Sequence, residues 1–415
     1  MKNTIVKSID DRRSEIIELV RETVRIQSVN PMLEPGAAGE AELVKRLAIR
    51  AKQFGFSDVA MLGKSETRPN LVARLWGSRK RPVLMLIGHT DTKPVGADEN
   101  WKVDPFSGDV IAGKIYGRGA ADMKAGLVSM LMAGAVLKET GFQPRGDFAV
   151  AMTADEEFDS ALGVSWLQEQ RLLKADAGIV AEPSGIKKSF DHIHLAVRGS
   201  VHFEIVTYGT QMHSSLSDVP SAVNPSVKLA LVLANMTKNL KLHHKRHPLY
   251  PQGPTVSLGT ILKGGSAIAV IPGQASATCD IRLPPGLKPT QVKSDIKAFI
   301  DLMKSKDPKL TVRVSYFGEG EGAQISSSEP IVQALLAGSR EVLGFAPPFG
   351  GYPACTDASL ILKHRDRTLR FPVVPAFGPG ILSVAHQPNE RIAVEDVITA
   401  TKIYALAAIH YLKGQ

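Results

Sequence analysis

Only two cysteines, Cys279 and Cys355, occur in 415 residues. That is too few for a disulfide framework, and it excludes a zinc site built from cysteines. Long apolar runs are missing as well. The most apolar helical stretch, Leu127 to Leu137, is interrupted by Ser129 and Gly134, whereas a bilayer span needs about 20 apolar residues. No transmembrane helix and no membrane partner are therefore expected. Met1 to Val29 is studded with Asp10, Asp11, Arg12, Arg13, Glu15 and Glu18, so a secretory signal is not expected and the cytoplasm is the expected address. A glycine-rich phosphate cradle of the G-x-x-x-x-G-K-[ST] type is absent, which argues against phosphate-ester chemistry. Basic residues outnumber acidic ones by 50 to 41. No nucleic-acid-binding motif accompanies them, so the densest run, Lys238 to His247, reads as a solvated face. A positive balance suits a small anionic substrate instead.

What is present is a normal soluble composition, 44% apolar and 22% charged, over a length that suits two to three domains of about 150 residues. Ile9, Ile16, Ile17, Val20 and Val24 share one helical face, and that helix is predicted to end near Asn30-Pro31. Val83 to Ile87, Phe148 to Met152 and Gly178 to Ala181 read as buried strands. An apolar helix follows Gly126, with Leu127, Met130, Leu131, Gly134 and Leu137 facing inward. Alternation of this kind predicts an α/β layer with a mostly parallel sheet, whose ligand sites lie outside the carboxyl ends of the strands.

The pattern then changes. Strand 194–208, helix 222–236, strands 255–262 and 274–283, helix 289–304 and strand 310–317 follow the β-α-β-β-α-β, ferredoxin-like order. The expected organisation is an α/β catalytic domain in two parts, 1–191 and 319–415. Between them, 192–318 forms an inserted α+β lid domain.

Candidate metal ligands are dispersed, and most of them follow a predicted strand. Gly88-His89-Thr90-Asp91, the turn ending at Asp122, Asp155-Glu156-Glu157, Glu182 and His386 each supply one or two hard or borderline ligands. Two histidines and three carboxylates suffice for two divalent ions if one carboxylate bridges. Mixed imidazole and carboxylate ligation suits zinc, with cobalt or manganese as substitutes. Adjacent carboxylates such as Glu156 and Glu157 can divide the work, one binding metal and one holding a proton. Asp91, two residues from His89, is placed to accept the imidazole's second N–H.

Gly88-His89-Thr90-Asp91, Gly117-Arg118-Gly119 through Asp122-Met123-Lys124-Ala125-Gly126, Asp155-Glu156-Glu157, Ala181-Glu182-Pro183, and Ala385-His386 with Asn389-Glu390 together resemble the acetylornithine deacetylase and succinyl-diaminopimelate desuccinylase family. Aminoacylases, glutamate carboxypeptidases and carnosinase-like dipeptidases are relatives. The resemblance implies that Asp122 bridges two metals, that His89 and Glu182 complete one site, and that Glu157 and His386 complete the other. It further implies that Asp91 orients His89, that Glu156 is the general acid/base, and that the peptide after Asp122 is cis. The inserted domain would dimerise, sending His213 into the partner subunit's site to support an oxyanion. Arg282 would grip a substrate carboxylate, with Gly378, Gly380 and Thr356 lining the pocket. One departure is Ala269, where the family commonly carries an asparagine that contacts substrate.

The resulting expectation is metal-assisted hydrolysis of an amide in a small carboxylate-bearing substrate, foremost an N-acyl amino acid. A dipeptidase or carboxypeptidase is the alternative, followed by hydrolytic deamination of an unusual small molecule. A non-catalytic homologue would be expected to have lost a ligand or the base, and every one is present.

Overall fold

Continuous apolar runs become the sheet on which the candidate site rests. The structure, a computed structural model, describes residues 1–412. Along the chain the strands that build the main sheet are β1 (Asp58–Leu62), β2 (Asn70–Leu75), β3 (Val83–His89), β4 (Asp147–Thr153) and β5 (Ala177–Val180). With the short strand Val373–Val374 they form a six-stranded sheet in the order β1-β2-β4-β3-β5-(373–374). β4, β3, β5 and the last strand run parallel, and β2 alone runs against its neighbours. Every residue of β3, β4 and β5 is buried, as befits a parallel sheet covered on both faces.

On one face Met85, Ile87, Ala149, Ala151 and Val180 pack with Val164, Leu167, Ala358 and Ile361. The helices Ala125–Glu139 and Val394–Leu412 pack against each other and against the sheet. The sequence pattern suggests an inward stripe for the first of these. Instead, all of Ala125–Leu137 is buried. Ala120–Glu139 is long and apolar enough, by length and composition, to cross a bilayer, but its apolar window is wholly enclosed by protein. Gly134 permits this packing, because a Cβ there would meet the Phe56 ring at 2.4 Å and the Phe148 ring at 2.9 Å.

The amino-terminal helix differs from expectation in its ends. It is two helices, Lys2–Asp11 and Arg13–Arg25, and it stops before Asn30. There the backbone leaves to pair with Thr92: Thr92 N donates to Ser28 O, and Asn30 N donates to Thr92 O. The predicted strand 194–208 is likewise two strands, Ile193–Val197 and β6 (Gly199–Tyr208), parted at Arg198.

Contacts within the chain divide it into two compact units, one of residues 1–196, 324–352 and 356–415, the other of 197–323 and 353–355. The second unit contains β6, β7 (Thr255–Lys263), β8 (Gln274–Leu283) and β9 (Thr311–Gly320), antiparallel in the order β7-β8-β6-β9. Burial alternates along β6 and β8, so one face carries the core. Helices Pro225–Asn239 and Pro289–Lys306 supply Leu229, Val232, Val292 and Ile296 to it. Each helix has proline in its first turn, and Asn224 Oδ1 caps the first by accepting from Ser226 N and Val227 N.

Candidate active site

Parallel strands end on one edge of a sheet, and three ligand segments leave from that edge. His89 is the last residue of β3 and stands in register with Thr153, the last of β4. Asp155-Glu156-Glu157 follows β4, and Glu182 follows β5 by two residues. Asp122 lies in the irregular segment before helix Ala125–Glu139, with an extended backbone (φ −120°, ψ 91°) and a cis peptide to Met123. His386 (φ +62°) and Asp155 (φ +67°) are both left-handed, a conformation that non-glycine residues rarely adopt and that clusters at functional sites.

These segments converge. Asp122 sits between two imidazoles, with Oδ1 3.0 Å from His89 Nε2 and Oδ2 3.1 Å from His386 Nε2. Glu182 Oε1 is 3.4 Å from His89 Nε2, and Glu157 Oε1 is 3.1 Å from His386 Nε2. Two trios result, His89–Asp122–Glu182 and Asp122–Glu157–His386, each with donor atoms within 4.8 Å of one another. All are buried except His386, which is about half exposed.

The donor set fits divalent cations. Three carboxylates gathered this closely, with Glu156 beside them, repel one another; a unit-charge pair 4 Å apart is worth about 4 kcal/mol at an effective dielectric of 20. Lys93 Nζ is 3.2 Å from Glu157 Oε2. Burial and the Asp122 charge push Glu182 up to about 7. Glu156 is pushed well above the carboxylate range by burial and by Glu182, Asp357 and Glu157, with His89 acting in the opposite sense. Glu156 belongs to neither trio.

Asp91 holds this turn in place. Its carboxylate accepts from Glu156 N (3.1 Å), Glu157 N (3.0 Å) and Asn30 Nδ2 (2.8 Å). The expected bond from His89 is made by a different atom. His89 Nδ1 donates to the Asp91 backbone carbonyl at 2.9 Å, while the carboxylate is 3.7 Å away and occupied by its three N–H donors. In the neutral ring this bond puts the proton on Nδ1 and leaves the Nε2 lone pair facing Asp122.

Three supporting residues, Glu40, Arg68 and Asn70, carry no sequence signal. Glu40 and Arg68 form a buried bidentate pair, and Arg68 also reaches Asp155 Oδ1 at 3.0 Å. Asn70 Oδ1 accepts from Ala154 N. Asp357 accepts from Ser160 Oγ and Thr153 Oγ1. Thr356 is buried, with its hydroxyl donated to Pro375 O. At Gly378 a Cβ would lie 2.2 Å from Ala181 O, and the Gly378 carbonyl accepts from Ser184 N and Oγ. Gly380 (φ +94°) accepts from Gly185 N. Both glycines therefore set the path of the Glu182 segment.

His213 and Arg282 belong to the second unit. His213 is exposed, in a two-residue strand paired with Val270–Ile271. Its Nδ1 accepts from Ser215 N, so in the neutral ring Nε2 carries the proton and can donate. Arg282 Nε donates to Asp280 Oδ2 at 2.7 Å, and Nη1 lies 3.4 Å from Cys355 Sγ. Ala269 is exposed and left-handed (φ +62°), and its carbonyl accepts from Ser214 N beside His213. Asparagine tolerates that conformation better than alanine does, so backbone geometry is one reason for asparagine at such a position.

A model of Peptidase family M20/M25/M40 matches residues 85–410. A succinyl-diaminopimelate desuccinylase from Parvibaculum lavamentivorans is 29% identical over 406 residues, covering 96% of either chain. Another, from Gluconacetobacter diazotrophicus, is 30% identical over 394 residues, covering 94% of this chain and 95% of that one. Among solved structures, a di-peptidase from Saccharomyces cerevisiae superposes with a TM-score of 0.81 at 16% identity, covering 100% of this chain and 99% of that one. An M20 family metallo-carboxypeptidase from Sulfolobus solfataricus gives 0.77 at 22% identity, covering 96% and 100%.

Proposed function

The chain belongs to peptidase family M20/M25/M40, and we propose that it removes the acyl group from a small, carboxylate-bearing N-acyl amino acid. The observation that carries this reading is the Asp122 carboxylate, one oxygen toward each imidazole, with Glu156 held beside it by Asp91.

His89, Asp122 and Glu182 would hold one divalent ion, and Asp122, Glu157 and His386 the other. The donor set favours zinc, with cobalt or manganese able to replace it. When bound, such ions supply Lewis acidity to a nucleophilic water and to the scissile carbonyl. Glu156 is the group that takes the water's proton and returns it to the leaving nitrogen. Its raised proton affinity suits both halves of that task. Asp91 keeps Glu156 and Glu157 apart in function by fixing the backbone of both.

Arg282 is the proposed partner of the substrate carboxylate, and His213 of one subunit is the proposed donor, from Nε2, to the oxyanion developing in the partner subunit's site. Gly378, Gly380 and Thr356 shape the pocket wall through the backbone they hold. The second unit dimerises through β7, an edge strand of its sheet with Val256, Ile261 and Leu262 exposed. A cytoplasmic location fits two cysteines that form no disulfide with each other. Dipeptide hydrolysis is the second reading, since the di-peptidase and the carboxypeptidase share the fold.

The test is a panel of N-acetyl, N-succinyl, N-carbamoyl and dipeptide substrates, each assayed with zinc, cobalt and manganese. Preference for an acyl amino acid supports the proposal, and a dipeptide turned over faster than every acyl substrate refutes it. Glu156→Gln should keep both ions yet lose about 10²–10⁴-fold in kcat. An active Glu156→Gln enzyme removes Glu156 from the mechanism.

A further inference from the structure

Arg118 and Glu390 belong to neither trio, yet both residues are buried to 1% exposure beside the ligand cluster. Glu390 Oε1 accepts from two consecutive amides, Ala121 N at 2.9 Å and Asp122 N at 3.0 Å. Its other oxygen accepts from Arg118 Nη1 at 2.6 Å. The same guanidinium extends Nη2 toward the backbone carbonyl of His386, at 3.4 Å, and lies over the Trp101 ring, 5.4 Å from its centroid.

Asp122 and His386 come from distant parts of the chain; Asp122 is extended within the irregular segment before helix Ala125–Glu139, and His386 is left-handed. Neither geometry is set by a regular helix or strand. Between them runs one connected path, from the Asp122 amide through the Glu390 carboxylate and the Arg118 guanidinium to the His386 carbonyl. The segment after His386 is itself pinned. Asn389 Oδ1 accepts from Lys102 N and Asn389 Nδ2 donates to Asn100 O, while Gly117 N donates to Glu390 O.

We propose that Arg118 and Glu390 are positioning residues that set the two metal-binding trios independently of any ion, Glu390 by fixing Asp122, which both trios share, and Arg118 by fixing His386, which only one contains. The inference rests on the two-ion reading of the site. Its chemistry is that of groups behind a metal ligand, whose loss typically weakens binding 10–100-fold.

The experiment titrates chelator-stripped protein with Co²⁺, following the visible absorption of each site, alongside thermal melting of the metal-free form. Wild type taking up two ions tests the underlying reading by itself; uptake of fewer would fail that reading, whatever the variants do. Arg118→Lys keeps a cation opposite Glu390 but is too short to serve His386 as well. It should weaken one of the two Co²⁺ sites 10–100-fold and leave the other within about threefold. Glu390→Gln should weaken both by a similar factor. The metal-free melting curves should remain cooperative in each variant. Two wild-type affinities in Arg118→Lys, or equal weakening of both sites by that variant, would overturn the proposal. Loss of the cooperative melt in either metal-free variant would overturn it too, because the pair would then be holding the fold rather than aiming the ligands.

Discussion

Gly378→Ala tests how tightly the Glu182 segment is placed. The new Cβ would lie 2.2 Å from Ala181 O and 2.7 Å from Glu182 O, so the two segments must separate by about 1 Å to regain ordinary contact. The strand end has little room to yield. Ala181 N is tied to Ile87 O, and the same Ala181 carbonyl is approached from Gly126, where a Cβ would meet it at 2.4 Å. Part of the displacement must reach Glu182, and metal–ligand distances tolerate only about 0.2 Å. The expected result is weaker binding by His89–Asp122–Glu182, with the trio containing Glu157 and His386 retained. A misplacement of this size costs roughly 10²-fold in turnover, or about 2.7 kcal/mol of transition-state stabilisation. The assay is metal content after dialysis, kcat/KM on the best panel substrate, and a melting curve to show that the fold persists. Two tightly held ions with unchanged turnover would refute the reasoning, as would selective loss of the other ion.

Three further outcomes can be checked. His194 is buried, and burial lowers its pKa to about 4. The unfolded chain therefore binds its proton first: stability is full above about pH 6.5 and falls by roughly 3 kcal/mol as the pH drops to 4. Urea melts at pH 7 and pH 4.5 should show a steeper loss in wild type than in His194→Gln, and equal losses would contradict this account. Ala269→Asn should relieve left-handed strain and raise stability by about 1 kcal/mol, measured by urea denaturation; a destabilised variant would mean that the side chain matters more than the backbone. The double variant Ile261→Lys, Leu262→Lys should run as a monomer in sedimentation at concentrations where wild type runs as a dimer, and an unchanged dimer would move the interface elsewhere.

The central strands were legible because their burial makes the sequence itself continuous: Val83 to Ile87 can be little else. The candidate ligands His89, Glu157 and Glu182 stand out in the sequence for a related reason, since each lies at the end of such a run or just after it. The break at Arg198 was not. Apolar character persists across it, and what parts the strands there is a bond from Arg198 N to Ala354 O, a partner no local pattern announces. Glu40 and Arg68 were invisible for the same cause. Each reads as ordinary surface charge until the fold places them together, and their identities say nothing about a partner 28 residues away.

The first unit is written in three pieces of sequence with the second unit between them. A chain stopped between Cys355 and His386 would hold a finished second unit and the full His89–Asp122–Glu182 trio, but only two members of the other. Order of synthesis therefore separates the two centres in time. Until His386 is synthesised, a growing chain carries one complete trio of candidate donors and two members of the other.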